Sequence, residues 1–337
     1  MSMYRKTVAI ILSLALVLGL SVSVYASDNS ERLCVSETVN TDDVTLDSMI
    51  HGYDVDVFET NNKVSMPNND DTFTKEARSY TPDQFESNDS FTTSTNGRSG
   101  YLISANIHDD DDVDFYSFIV TDEDVNNGEY YSFILTNIPS GCNYDMLIVN
   151  DSWEGYIYNN SGTTTENAMF TFNTSGVYYV IIYSSDGCSS SNYALFYGRS
   201  IQSGSYGYVS TGINVNHGYI PIGSSTTTYT TYYSYDLTNN NSIPSTAFVT
   251  KFRMSMNGNG ANYGGLVKQL FAENGTGYQT MGAIELFTMP ERQHIVRQNW
   301  SIRAGVLYSY NYSWIPQVHI TYDYIINPQT MFYAPLG

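Results

Sequence analysis

Residues 176–197 read GVYYVIIYSSDGCSSSNYALFY. Two runs of β-branched and aromatic residues, Val177–Tyr183 and Tyr193–Tyr197, flank a stretch of Ser, Asp, Gly and Cys that extends neither of them. Such side chains fit a pleated, half-buried surface, and the small polar residues between them turn the chain. The segment predicts two strands. The same style continues outward in both directions. Towards the N-terminus, strands are expected near Tyr101–Ile107, Phe115–Val120, Tyr130–Asn137, Tyr144–Val149, Gly155–Tyr158 and Ala168–Phe172. Towards the C-terminus they are expected near Tyr229–Leu237, Phe248–Met256, Leu266–Glu273, Ala283–Phe287, Ile295–Ile302, Tyr308–Trp314 and Gln317–Ile325. Segments such as YTTYYSYDL (229–237) and VHITYDYII (318–326) alternate at period two rather than at helical period. Short strands broken by turn residues, with no amphipathic helix among them, predict an all-β chain of two antiparallel β-sandwich domains.

The N-terminus reads differently. Arg5 and Lys6 precede an apolar run from Val8 to Leu20, then a small-residue site ending at Ala26. That is the pattern of a secretory signal peptide, expected over residues 1–26, and it implies a secreted, extracellular or cell-surface-associated protein without stable membrane insertion. Residues 27–83 are polar and acidic with little periodicity and are expected to form a flexible leader or propeptide. The sandwiches are expected at 84–198 and 206–337, joined by a Gly/Ser-rich linker at 199–205.

Charge divides the chain along the same line. The formal net charge is −20, and −22 once Arg5 and Lys6 are removed with the signal peptide. From Ser200 onward there are 5 acids against 6 bases, so residues 27–199 carry the negative charge. Such acidity argues against nucleic acid as a partner and favours divalent cations. Of the three cysteines, Cys34 lies in the leader, while Cys142 and Cys188 fall within one expected domain where they could pair. No C-x-x-C or Cys/His zinc spacing occurs.

The densest charge is HDDDDVDFYSF (108–118), where Asp109, Asp110, Asp111, Asp112 and Asp114 crowd the mouth of a strand. Ionised carboxylates this close repel, so they are either fully solvated or gathered around a cation. By side-chain direction, Asp112 and Asp114 share a face if the strand has already begun, whereas Asp111 joins Asp114 only through a turn or bulge.

Four motifs in order carry a resemblance: FESNDSF (85–91), DDDVDFYSF (110–118), NYDMLIVND (143–151) and the opening segment 176–197. Over residues 84–198 the chain resembles the bacterial pre-peptidase C-terminal domain, a jelly-roll-like sandwich appended to secreted proteases and other exported proteins. The resemblance implies calcium held by an E-x-N-D segment and a D-x-x-D pair, here Glu86, Asn88, Asp89, Asp111 and Asp114, with Asp112 in reserve. Ser87 stands where the family usually has proline, a departure that loosens the linker. The resemblance also places the loops of Cys142 and Cys188 at one end of the sandwich and so implies a disulfide between them. It carries no catalytic site. Residues 206–337 match no family by motif.

Two functions fit. The favoured one is a secreted, non-catalytic, calcium-stabilised binding or accessory protein acting on extracellular protein or polysaccharide, with a secreted peptidase among its partners. With 31 Tyr in the chain, aromatic contact surfaces are expected, and Trp153, Trp300, Tyr310, Tyr312 and Trp314 are the candidates. The rival is an extracellular hydrolase with its site in the second domain, using a pair drawn from Glu273, Glu285, Glu291 and Asp323. No G-x-S-x-G or H-E-x-x-H motif is present.

Overall fold

The computed structural model describes residues 45–59, 62–66, 79–257 and 263–337. The fold is all-β. A short helix α1 (Leu46–Ile50) leads into β1 (Asp56–Phe58), β2 (Leu102–Ala105) and β3 (Val113–Val120). After the one-and-a-half-turn helix α2 (Asp122–Asn127) come β4 (Tyr130–Thr136), β5 (Asn143–Asn150), β6 (Gly155–Tyr158), β7 (Glu166–Phe172), β8 (Gly176–Asp186) and β9 (Tyr193–Arg199). These strands form two sheets, ordered β1-β7-β4-β9-β2 and β3-β8-β5-β6. Every pairing is antiparallel except that of β1 with β7. Alternate side chains of both sheets turn inward, and Tyr116, Phe133, Tyr144, Phe170 and Tyr197 are fully buried between them.

The second half contributes β10 (Ile201–Ser210), β11 (Val215–Asn216), β12 (Tyr219–Ile220), β13 (Thr228–Tyr229), β14 (Tyr233–Asp236) and β15 (Phe248–Asn257). It continues with β16 (Tyr263–Gly264), β17 (Val267–Phe271), β18 (Gly277–Met281), β19 (Leu286–Phe287), β20 (Asn299–Val306), β21 (Tyr308–Tyr310) and β22 (Ser313–Ile325). Its main sheets run β10-β22-β15-β19 and β13-β20-β17-β18, with a small β12-β21-β16 sheet beside them. Phe252, Trp300, Ile302 and Ile320 fill the space between the main sheets. The same apolar cluster takes in Leu102, Ile134, Ala194 and Phe196, from the outer face of the β1–β2 sheet, so the two halves share a buried contact.

Two stretches differ from the expectation. Residues 199–205 are not a loose linker: β9 ends at Arg199, Ser200 is buried, and β10 starts at Ile201 and pairs with β22. The glycine here serves packing. A Cβ on Gly204 would stand 2.5 Å from the Tyr322 ring. The described part of the 27–83 leader is also held. Leu46 and Phe58 are fully buried, and the Phe58 ring lies within 5.5 Å of those of Tyr156, Phe170, Phe172 and Tyr178. Three alternating residues sufficed because they add an edge strand that inserts one aromatic side chain into a core already built. The signal-peptide segment and Cys34 lie outside the described residues.

Candidate metal centre

The entry segment 79–95 is laced to the mouth of β3 by backbone hydrogen bonds. Tyr80 donates to the His108 carbonyl at 2.7 Å, Phe115 donates to the Asn88 carbonyl at 2.9 Å, and Thr95 donates to the Phe115 carbonyl at 2.8 Å. Asp83 adds a brace: its carboxylate accepts from the Phe85 and Asn106 backbone N–H groups, both at 2.7 Å. This lacing carries Glu86 and Asn88 against the start of β3, where Asp112 and Asp114 both turn inward.

His108 stands in the middle. Its Nδ1 lies 2.6 Å from Asp112 Oδ2 and 3.1 Å from Glu86 Oε1, and its Nε2 lies 3.4 Å from Asp109 Oδ2. Ligating atoms of Glu86, His108 and Asp112 fall within 4.8 Å of one another. Three oxygens of this neighbourhood are buried without a hydrogen-bond partner, Asn88 Oδ1, Asp112 Oδ1 and Asp114 Oδ1, and buried Glu86 Oε1 has only the His108 ring beside it at 3.1 Å. Asn88 and Asp114 are both 0 % exposed. Leaving such atoms unmatched costs about 1–3 kcal/mol each, more when charged, so an unpartnered set is a place where a ligand belongs.

The electrostatics agree. Burial, then the Asp112 charge, pushes the Glu86 carboxyl up to about 7. Burial raises Asp112 against the hydrogen bonds it accepts from His108, and burial followed by Asp112 raises Asp114 well above the carboxylate range. Burial alone would lower His108, but Asp112, Glu86 and Asp109 together outweigh it and raise its pKa. The protein thus holds several carboxyls where their charge is unfavourable, a situation a bound cation reverses. The donors are mostly oxygen, and the His108 ring is already engaged, Nδ1 with Asp112 Oδ2 and Nε2 with Asp109 Oδ2. That set suits a hard cation such as calcium better than zinc, with His108 orienting a ligand rather than serving as one.

The structure places the sequence-derived residues unevenly. Asn88 adjoins Asp114, while Glu86 meets Asp112 across His108. Asp89 is exposed but close enough for its charge to act on Glu86 and Asp112. Asp111 is exposed, and its backbone N–H turns back to Asp109 Oδ1 at 3.0 Å, so Asp112 occupies the inward place expected for Asp111. Asp83 was missed; the only cue to it was a carboxylate at the edge of the entry segment. Cys142 and Cys188 are buried in the same core but carry no disulfide, which corrects the expected pairing. Their packing is that of small apolar side chains within the aromatic core.

Two aromatic candidates are corrected as well. Trp300 is 0 % and Trp314 3 % exposed, so neither offers a contact surface. Both sit on strands whose alternation turns them into the core. Trp153 is half-buried against Phe91 and Phe115. Tyr310 is exposed beside Tyr219, and Tyr312 is half-buried against Tyr263. Of the hydrolase carboxylates, Asp323 is bound by Arg292 at 2.8 Å and by Ser203 at 2.6 Å. A cavity of about 230 Å³ lies elsewhere, between Tyr53, Tyr158, Asn167 and Asn327, and no residue of the His108 cluster lines it. Among the described residues no helix is long and apolar enough to cross a membrane.

No protein-family model matches the chain, and no curated protein matches it. Among solved structures, a candidate secreted protein from Eubacterium rectale aligns over 70 % of this chain and 76 % of its own, at 13 % identity and a TM-score of 0.30. The M60 catalytic domain with the CBM51-1 and CBM51-2 domains of Clostridium perfringens ZmpB aligns over 65 % of this chain and 35 % of its own, at 8 % identity and a TM-score of 0.19. The infectious bursal disease virus VP2 subviral particle aligns over 59 % and 57 %, at 9 % identity and a TM-score of 0.20. Likenesses of this size carry no argument about what the chain does.

Proposed function

We propose that the chain is a secreted, non-catalytic accessory or binding protein whose first sandwich is pinned to its entry segment by calcium. The observation that carries this is the set of three buried, unpartnered oxygens on Asn88, Asp112 and Asp114 beside the cluster of Glu86, His108 and Asp112. Calcium takes six to eight oxygens at 2.3–2.6 Å, so this set, with Asp89 and water, supplies a credible shell. The bound ion would neutralise the crowded carboxyls and fix the segment from Asp83 to Asn88 on β3. Secretion rests on the signal-peptide pattern of residues 1–26. The accessory role rests on the resemblance of residues 84–198 to the pre-peptidase C-terminal domain. The hydrolase reading has less to stand on, because Asp323 is committed to Arg292 and Ser203.

Calorimetry of the full secreted chain tests this. Calcium should raise Tm over that in chelator, magnesium should do so less, and Asp112→Asn with Asp114→Asn should abolish the response. A wild-type Tm identical in calcium and in chelator would sink the calcium reading.

A further inference from the structure

The outer face of the β13-β20-β17-β18 sheet is built unlike the rest of the surface. Arg303 on β20 holds its guanidinium carbon 4.6 Å from the ring centres of both Tyr229 and Tyr232, and 5.8 Å from that of Phe271. Its Nε donates to Gln269 Oε1, and Gln269 Nε2 donates to Gln279 Oε1 at 2.8 Å. Arg303, Gln269 and Gln279 are register partners across β20, β17 and β18, so a guanidinium and two amides form one row over the face. Aromatic rings lie on both sides of that row. Tyr229 covers Gly305, where a Cβ would stand 2.7 Å from its ring, and Phe271 covers Gly277, where a Cβ would stand 2.6 Å away. The two glycines let the rings lie down on the sheet instead of standing off it. Tyr229 is 38 % and Tyr232 46 % exposed.

Arg303 has no carboxylate partner among the described residues, and its two terminal nitrogens make no hydrogen bond there. A half-buried guanidinium held between rings, with no carboxylate partner among the described residues, is a specific arrangement. Its rotamer freedom is already spent, so a ligand that engages it avoids that entropy cost. The fork matches a carboxylate, and the flat rings match the C–H faces of pyranose sugars. The amides add hydroxyl-binding groups. A ligand that offers ring faces, hydroxyls and carboxylates together is an acidic polysaccharide.

We propose that this face, centred on Arg303 with Tyr229, Tyr232, Phe271, Gln269 and Gln279, binds uronate-containing polysaccharide. This rests on the accessory-protein reading and names the class of its partner, but it is independent of calcium because it lies on the second sandwich.

The test is affinity electrophoresis of the full chain in gels holding polygalacturonate, its methyl ester, neutral galactan or poly-glutamate, all in chelator. Working in chelator separates a failure here from a failure of the calcium reading. Retardation by polygalacturonate is expected, with much less by the methyl ester, which keeps the rings and loses the charge. Arg303→Gln and Tyr232→Ala should each weaken binding about tenfold, and Arg303→Lys should rescue it only in part because the fork is lost. Circular dichroism confirms that the variants fold. Equal binding by wild type and Arg303→Gln, equal binding of ester and acid, or no retardation would overturn the proposal. Arg303-dependent binding of poly-glutamate alone would overturn it in favour of an acidic peptide.

Discussion

The hydroxyl of Tyr193 donates to Asp114 Oδ2 at 2.6 Å and itself lies 2.8 Å from the hydroxyl of Tyr116, which completes a buried chain of three side chains. One end of that chain is the aromatic core, and the other is a carboxylate whose second oxygen has no partner. The polar neighbourhood of His108 is thus fastened to the centre of the sandwich. Burial pushes both phenols well above their ordinary range, so they stay protonated and serve as donors.

Removing the middle of this chain tests the fastening. Tyr193→Phe keeps the ring and leaves Asp114 with both oxygens unpartnered. It should cost about 1–3 kcal/mol in urea unfolding. It should also weaken the calcium response, because Asp114 is no longer oriented. A cost below about 0.5 kcal/mol would mean that water replaces the hydroxyl.

The raised carboxyls set a pH dependence of known sign. The Glu86 carboxyl has a folded pKa of about 7, above its ordinary 4.5, so the folded state holds the proton more tightly. Stability from this group is complete below about 4.5 and is lost as pH rises through about 7. Asp112, Asp114 and His108 are also raised and act with the same sign. In chelator, Tm should therefore fall more steeply across this window in wild type than in Glu86→Gln. Calcium competes with the protons, so its stabilising effect should grow with pH. A calcium effect that stays constant from acid to neutral pH would show that these carboxyls do not titrate there.

Much of the fold was legible because strand alternation is local. Segments 176–183 and 318–326 announce their faces through the side chains themselves. The site was legible in part for the same reason. Period two already put Asp112 and Asp114 on one side, and that local rule describes the structure better than the family pattern that favoured Asp111. What could not be read depends on contacts distant in sequence. Gly204 looks like linker until Tyr322 arrives beside it, and Trp300 looks like a contact residue until β15 brings Phe252 against it at 5.1 Å. The row from Arg303 through Gln269 to Gln279 exists only by register across three strands.

The buried leader strand makes a separate test. Phe58 contacts four rings in the first core and is 0 % exposed. Phe58→Ala should destabilise the protein by about 3–5 kcal/mol, the usual cost of emptying an aromatic core site. It should also open the segment around residue 58 to proteases. A variant as stable as wild type would mean that this segment detaches freely in solution.

Lys268 carries the last prediction. It lies on β17 with its side chain turned between the sheets, 1 % exposed, and Nζ donates to the Met254 carbonyl at 3.1 Å. Burial lowers its pKa, and the Glu285 charge offsets this only in part. An ammonium in such a place is costly to desolvate, and one carbonyl recovers little of the cost. A base whose folded pKa is depressed binds fewer protons folded than unfolded, so stability should rise with pH as the ordinary lysine range is approached. Lys268→Met keeps the length of the side chain and removes the charge. It should raise stability at neutral pH by about 1 kcal/mol or more and flatten the alkaline rise, as measured by urea unfolding at neutral and alkaline pH. If Lys268→Met is instead destabilising at every pH, the ammonium is a needed partner of the Met254 carbonyl and Glu285, and the lysine is kept for stability.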